Sequence, residues 1–537
     1  MNKKYGTWTR LMALCLTLLL AVGVFGTAAL AAPIVENTTG SIEVSGVENG
    51  VDVNAYRVMT VNFDYATQQP VDPVYFWRDA VKDWVRDHYG SYINTTDNSV
   101  TKAFINAGTD DIAAFYDALA AAIKGKKVNL ASSGFRTGNG TIGDLPMGGY
   151  LILVEKGMKV YRPSAVNIEP EYHENTGEWT MSTSTLEVKA SDMTMDKTVN
   201  EDQTDDHHDK DAWDQVEIGE TVNFDLRTNV PQYPANAFAK QYVISDTLSA
   251  GLTLEEDSIT VYGVTEEGET KKLAKDIAYT QEITRPDPDK TGTTRFTLTF
   301  FDYDQIKDYD KIHVDYNAVV NSNAVVGGAG NPNEAVLKYN NNPYDDTSWK
   351  EKKDEVKVYT YGLKVNKVDN ENNPLTGAEF TLSEDPDGSN LMPFFKTGDG
   401  TYRVPATAEE AQKATITLQV GANSDATKGK LNISGLSVGT YYLTETKVPG
   451  GYNKPSNPVT IIEIKDENHN GQPTINNGAD EFGDGFVELN VVNTKGFKLP
   501  TTGGMGTFLF TMGGVAIMGA AILLFFVLRR RKAVSDK

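Results

Sequence analysis

Apolar residues along most of this chain recur at every second position, the spacing of a strand with one buried face. Ser41-Ile-Glu-Val-Ser45 alternates, and Val51-Asp-Val-Asn-Ala-Tyr56 follows an Asn49-Gly50 pair, which predicts an opening β-hairpin. Between about Asp72 and Lys124 the spacing changes. Phe76-Trp77, Val81, Trp84-Val85 and an alanine-rich run from Ile112 to Ile123 predict helices. Strands resume from Thr141 to Glu155 around a turn at Leu145 to Gly149, and this first unit closes near Val188. A second unit opens at Met193 to Val199, passes a polar loop (Glu201 to Asp211), alternates again at Glu220 to Leu226 and Gln241 to Leu248, and ends around Asn340 to Pro343. A charged connector, Lys350 to Glu355, leads to a third unit from Tyr359 to Asn493. Short strands between regular turn signals predict a mainly β chain of three tandem β-sandwich domains, at 32–191, 192–357 and 358–496, the first with a helical insertion.

The two ends follow another pattern. Lys3, Lys4 and Arg10 precede the apolar run Leu11 to Val24, and Ala29-Leu30-Ala31 supplies small residues, so 1–31 is expected to be a secretory signal removed on export. Met505 to Leu528 is uncharged, mostly apolar and long enough to span a bilayer, and Arg529, Arg530, Arg531 and Lys532 follow it as a basic stop. Cys15, the one cysteine, lies inside the predicted signal. The exported chain would then have no disulfide and no Cys-ligated metal, and must resist unfolding by other means. Loss of both ends (before Ala32 and after Thr502) leaves about 470 residues with a net charge of −30. Such a chain is repelled by nucleic acid and anionic membranes, so no nucleic-acid partner is expected. There is no phosphate-cradling loop, no GxSxG and no metalloprotease helix. Asp205-Asp-His-His-Asp209 has no ligand spacing that points to a metal, and no metal or cofactor is expected.

Within the alternating strands, several apolar stripes are interrupted by a single polar residue. In the second unit Met193, Met195, Lys197 and Val199 share one face. So do Tyr242, Ile244, Asp246 and Leu248, and so do Asn333, Ala335, Leu337 and Tyr339. In the third unit Leu363, Val365 and Lys367 share a face, as do Tyr441, Leu443 and Glu445. A charge placed among core residues is costly unless it has a partner.

Leu499-Pro500-Thr501-Thr502-Gly503, followed by the apolar span and the basic tail, resembles the cell-wall sorting signal of Gram-positive surface proteins. The resemblance implies that a sortase cleaves between Thr502 and Gly503 and passes the Thr502 carbonyl to an amine. Lys364-Val-Asn-Lys-Val-Asp369, Leu375 to Phe380, the box Tyr441-Tyr-Leu-Thr-Glu-Thr446 and Val491-Val-Asn493 resemble the Ig-like Cna B-type domain. That family joins a first-strand Lys to a last-strand Asn beside a Glu. The implied set is Lys367, Glu445 and Asn493, with Lys364 as the alternative if the register slips by one. The second unit resembles the middle domain of sortase-assembled backbone pilins, which assigns the same roles to Lys197, Asp246 and Asn333, with Asn331 the alternative. Burial favours the neutral amine that attacks the amide carbon and raises the pKa of the carboxyl that shuttles the proton. The first unit has no Lys in its opening strand. No cross-link is expected there, and Glu155 is expected to be a solvated strand end.

In backbone pilins the receiving amine belongs to a Lys near the end of the first domain, after a Trp. Trp179 and Thr185-Leu-Glu-Val-Lys189 match in part, without the Tyr-Pro pair of that motif; Lys189 points away from Leu186 and Val188 and is expected to be exposed, with Lys159 the next candidate. The resemblance therefore implies a non-enzymatic shaft subunit of a covalent pilus on the cell wall, Thr502 joined to Lys189 of the next copy. Its implied partners are the sortase, identical subunits, ancillary pilins, peptidoglycan and a host surface ligand. A monomeric wall-anchored adhesin or an ancillary pilin is the alternative.

Overall fold

The structure, a computed structural model, describes residues 33–175, 177–200, 212–285, 292–478, 481–496 and 505–535. The expected signal peptide, the Asp205–Asp209 segment and Leu499 to Gly503 lie outside the described residues. The chain is mainly β, arranged as three successive sandwiches.

In the N-terminal sandwich β1 (Thr39–Ser45) pairs with β3 (Gly140–Pro146) on one side and, in parallel, with β6 (Thr183–Glu187) on the other. The facing sheet holds β2 (Asp52–Arg57), β4 (Gly148–Glu155) and β5 (Ser164–Ile168), with Gly134–Thr137 at its edge. β1 and β2 therefore lie in opposite sheets and form no hairpin. The Asn49-Gly50 pair sits in a wider arch that buries Val47 and Val51, with Gly46 and Gly50 at φ of 81° and 80°. A two-residue turn would have paired Glu48 with Val51 and put Val47 and Val51 on opposite faces of a hairpin, so that one face could not bury both.

Helices α1 (Asp79–His88) and α2 (Thr109–Lys124) cover the outer face of the second sheet, where Leu151 and Leu153 join Phe115 and Leu119 while Tyr150 and Ile152 face inward. Both faces of β4 are thus covered, which explains its unbroken apolar run. Phe76 and Trp77, expected in a helix, end the strand Gln69–Trp77. Pro70 and Pro73 favour extended backbone there, and the Trp77 indole Nε1 donates to the Tyr92 carbonyl at 2.9 Å.

The middle sandwich packs a five-stranded sheet against a six-stranded one. The first runs β7 (Asp196–Val199), β8 (Thr221–Asn229), then β12 (Lys311–Val320) and β10 (Leu252–Val264), with Thr270–Lys272 last. The second contains β14 (Trp349–Tyr359), β13 (Asn331–Asn340), β9 (Tyr242–Leu248) and β11 (Thr294–Phe300) in that spatial order, flanked by Trp213–Gln215 and Thr280–Thr284. The expected connector Lys350 to Glu355 is in fact part of β14, paired along its length with β13. Its charges alternate with no apolar stripe, so backbone pairing and cross-strand pairs such as Lys353–Glu334 (3.1 Å) hold it in the sheet.

The C-terminal sandwich begins one residue later with β15 (Tyr361–Asp369), which lies between β17 (Lys430–Leu436) and a parallel last strand, β20 (Phe486–Asn493). The facing sheet holds β16 (Glu379–Ser383), β18 (Gly439–Lys447) and β19 (Val459–Lys465). α3 (Met505–Ser535) follows, and its segment Phe508–Arg529 is long and apolar enough to cross a membrane.

Candidate functional site

Two buried polar constellations sit in the cores of the middle and C-terminal sandwiches. In the middle one, Lys197 projects from edge strand β7, its backbone N–H held by Asp354 at 2.7 Å. Asp246 on β9 and Asn333 on the adjacent β13 project from the opposite sheet toward it. The Lys197 and Asp246 side chains are both 0% exposed and are directly hydrogen-bonded. Burial lowers the Lys197 pKa and raises that of Asp246, and the attraction between the two groups opposes both shifts. Desolvation is the larger effect on each, so the site favours the neutral amine and the neutral acid, the pair a nucleophilic attack on an amide requires.

A fourth residue completes this cluster. Tyr316 on β12 accepts from Lys197 Nζ at 3.0 Å and from Asn333 Nδ2 at 2.6 Å, and its hydroxyl donates to Asp246 Oδ2 at 2.9 Å. Its ring lies against Phe224 and Phe296, and burial raises its pKa well above the usual value. Asp246 Oδ1 and Asn333 Oδ1 are buried without a partner. Asn331 is elsewhere: its side chain ties Val325 and Val358 together at the end of the domain.

In the C-terminal sandwich Lys367 and Asn493 lie on adjacent parallel strands, Lys367 opposite Val491 and Asn493 opposite Asp369. Glu445 reaches them from β18 in the facing sheet. Lys367 Nζ is 3.7 Å from Glu445 Oε1 and donates to the Val491 carbonyl at 2.8 Å. Asn493 Nδ2 donates to Glu445 Oε2 at 3.2 Å and to the Asn453 carbonyl at 3.1 Å. Burial lowers the Lys367 pKa, opposed by Glu445. Lys364, one residue away, points out of the core and pairs with Asp484. Glu445 Oε1 and Asn493 Oδ1 have no hydrogen-bond partner.

The N-terminal sandwich differs. Among its described residues Ser99 is the one polar side chain in the buried class. Glu155, expected in solvent, is half-buried and pairs with Lys124, because the last turn of α2 reaches the end of β4. Lys189 lies exposed just after β6, where its carbonyl accepts from the Arg162 N–H at 3.1 Å, and among the described residues its ammonium has no ion-pair partner. Lys159 is half-buried and paired with Asp192 at 2.9 Å.

Both lysines border the first junction, where Asn341 Nδ2 donates to the Lys156 carbonyl at 2.9 Å and Asn229 Nδ2 to the Asp192 carbonyl at 3.0 Å. The second junction is more closely interlocked. Gln215 Nε2 donates to the Tyr361 hydroxyl at 2.9 Å, and Tyr361 donates to Asp466 Oδ2 at 2.8 Å. Gly327 sits so close to Gly485 that a Cβ on it would lie 2.1 Å from the Gly485 Cα.

Sequence reasoning missed Tyr316, Asn453 and Asp354. Asn453 and Asp354 act through a carbonyl and a strand-edge carboxylate, neither of which has a periodic signature. Tyr316 follows Ile312 and Val314 on an inward stripe, where a tyrosine reads as ordinary core.

Three family models match the chain: a Gram-positive pilin backbone subunit 2, Cna-B-like domain over residues 218–343, a prealbumin-like fold domain over 362–479, and an LPXTG cell wall anchor motif over 491–534. A trypsin-resistant surface T6 protein of Streptococcus pyogenes serotype M6 is 27% identical over 362 residues, which cover 58% of this chain and 65% of that relative. The match thus spans just under two thirds of the relative's length. The solved T6 backbone pilin of serotype M6 S. pyogenes superposes with a TM-score of 0.55 at 20% identity, over 86% of this chain and all of that one. The full-length major pilin SpaD of Corynebacterium diphtheriae gives 0.48 at 19% identity, over 86% and 98%.

Proposed function

We propose that the chain is a backbone pilin of a Gram-positive bacterium, held at the cell wall through its LPXTG anchor, and that it is the shaft subunit of a sortase-assembled pilus. In this reading a sortase cleaves after Thr502 and joins its carbonyl to the Lys189 side-chain amine of the next copy. Lys197–Asn333 and Lys367–Asn493 close as amides inside their domains, with Asp246 and Glu445 as proton shuttles. The three domains span 32–191, 192–357 and 358–496 as read from the sequence, with β14 carrying the middle one on to Tyr359. Repetition of the Lys–carboxylate–Asn set in the two domains between Lys189 and Thr502 supports the reading best. A chain pulled at those two points would carry tension through domains two and three, and domain one would hang beside the path. Partners follow: identical subunits, the sortase, ancillary pilins, peptidoglycan at the base and a host surface ligand.

The chemistry is self-contained. A neutral lysine attacks the Asn side-chain carbonyl, one proton moves from the amine to the departing nitrogen, and ammonia leaves. Holding the groups in contact replaces a bimolecular encounter. The test is a wall extract boiled in detergent. A ladder of covalent multimers is expected, collapsing to monomer in Lys189→Ala. A single wall-bound species in the parent strain would overturn the shaft assignment in favour of a monomeric anchored adhesin.

A further inference from the structure

The two buried sites place the carboxylate differently relative to the nitrogen that must leave. In the C-terminal site Glu445 touches it directly, since Asn493 Nδ2 donates to Glu445 Oε2. In the middle site Asp246 is one methylene shorter. It engages Lys197 but makes no hydrogen bond to Asn333, whose Nδ2 instead meets the Tyr316 hydroxyl at 2.6 Å. The same hydroxyl lies 3.0 Å from the attacking nitrogen and 2.9 Å from Asp246 Oδ2. A phenol has one proton to give and two lone pairs to receive. Here the proton points to Asp246, and the lone pairs accept from the attacking and the leaving nitrogen.

We infer that Tyr316 is a catalytic residue of the middle domain, relaying the proton from Asp246 to the departing Asn333 nitrogen. The inference rests on the Lys197–Asn333 bond proposed above. Neutral Lys197 attacks Asn333 Cγ, forming the N–C bond. Tyr316 gives its phenolic proton to Nδ2 as the Cγ–Nδ2 bond breaks and takes the proton of the neutral Asp246 acid in return, and the Asp246 carboxylate so formed receives the surplus Nζ proton. Asp246 and Tyr316 end as they began. The products are one secondary amide and one ammonia, and no other reactant is needed. The C-terminal site requires no such relay because the longer glutamate spans the gap itself.

The experiment is intact-mass and peptide-map analysis of the secreted ectodomain, comparing wild type, Tyr316→Phe, and Lys197→Met as a bond-free control. Wild type should have lost two molecules of ammonia at purification. Tyr316→Phe should have lost only the C-terminal one, the middle bond closing roughly 100-fold or more slowly over days, while melting like Lys197→Met. If Tyr316→Phe closes at the wild-type rate, the relay is overturned. It is equally overturned if the variant stays open and melts well below Lys197→Met, which would make Tyr316 a packing residue. A wild-type ectodomain with only the C-terminal loss would remove the middle bond itself, a failure distinct from the other two.

Discussion

Each buried lysine is held between an unfavourable desolvation and one carboxyl group, so the carboxyl is the residue whose loss has a sharp readout. Glu445→Ala and Asp246→Ala are each expected to retain one of the two ammonia molecules that the ectodomain otherwise loses. Each also leaves a lysine buried without its partner, at a cost of about 3–5 kcal/mol. Intact mass reports the first effect and thermal unfolding the second. Lys364→Ala is the contrasting case. Its pair with Asp484 is largely exposed, so both ammonia losses should persist and stability should change by less than about 1 kcal/mol. The inward lysines were legible in the sequence because alternation puts Lys367 on the face of Leu363 and Val365, which left Lys364 open only to a slip of register. Tyr316 was not, since its hydroxyl does its work at the end of a side chain that any core would accept.

At the scale of elements, the second junction contains a carboxyl out of balance. Burial pushes the Glu217 pKa up to about 7, and repulsion from Glu384 and Glu220 adds to the shift. Between the ordinary glutamate value and 7 the folded state binds more protons than the unfolded one, so this group's contribution is full at low pH and is lost as pH rises through 7. Glu217→Gln should therefore melt higher than wild type at pH 8 and match it near pH 4, as read by calorimetry. Equal shifts at both pH values would refute this account. Elements were legible where one face is apolar and the other polar. β14 escaped because it is charged on both faces and owes its place to pairing with β13. The arch after β1 escaped because Asn49-Gly50 favours a tight turn. The Glu48 carboxylate instead holds the chain open, accepting from the Met158 and Lys159 N–H groups at 2.8 and 2.9 Å.

Across the whole molecule, the middle cross-link would bridge the two sheets of its sandwich, and the C-terminal one would join neighbouring strands of one sheet. Single-molecule stretching between Lys189 and residue 496 should show no unfolding of either domain while both bonds are closed. Glu445→Ala should release one step of roughly 400 Å, the extended length of the chain from Lys367 to Asn493. Absence of that step would mean that the C-terminal bond is not in the path of the pull.

The parallel pairing of β15 with β20 has a further consequence. With Lys367 and Asn493 joined, the intervening chain becomes a closed ring, entered at Lys367 and left at Asn493, and the new amide links those two residues directly. A protease that nicks the exposed loop around Ser424 to Lys428 would then open the ring without separating the two ends of the subunit. The loops of that ring can also lengthen or change sequence with no effect on covalent continuity. The exposed loops are thereby separated from the part that must not break.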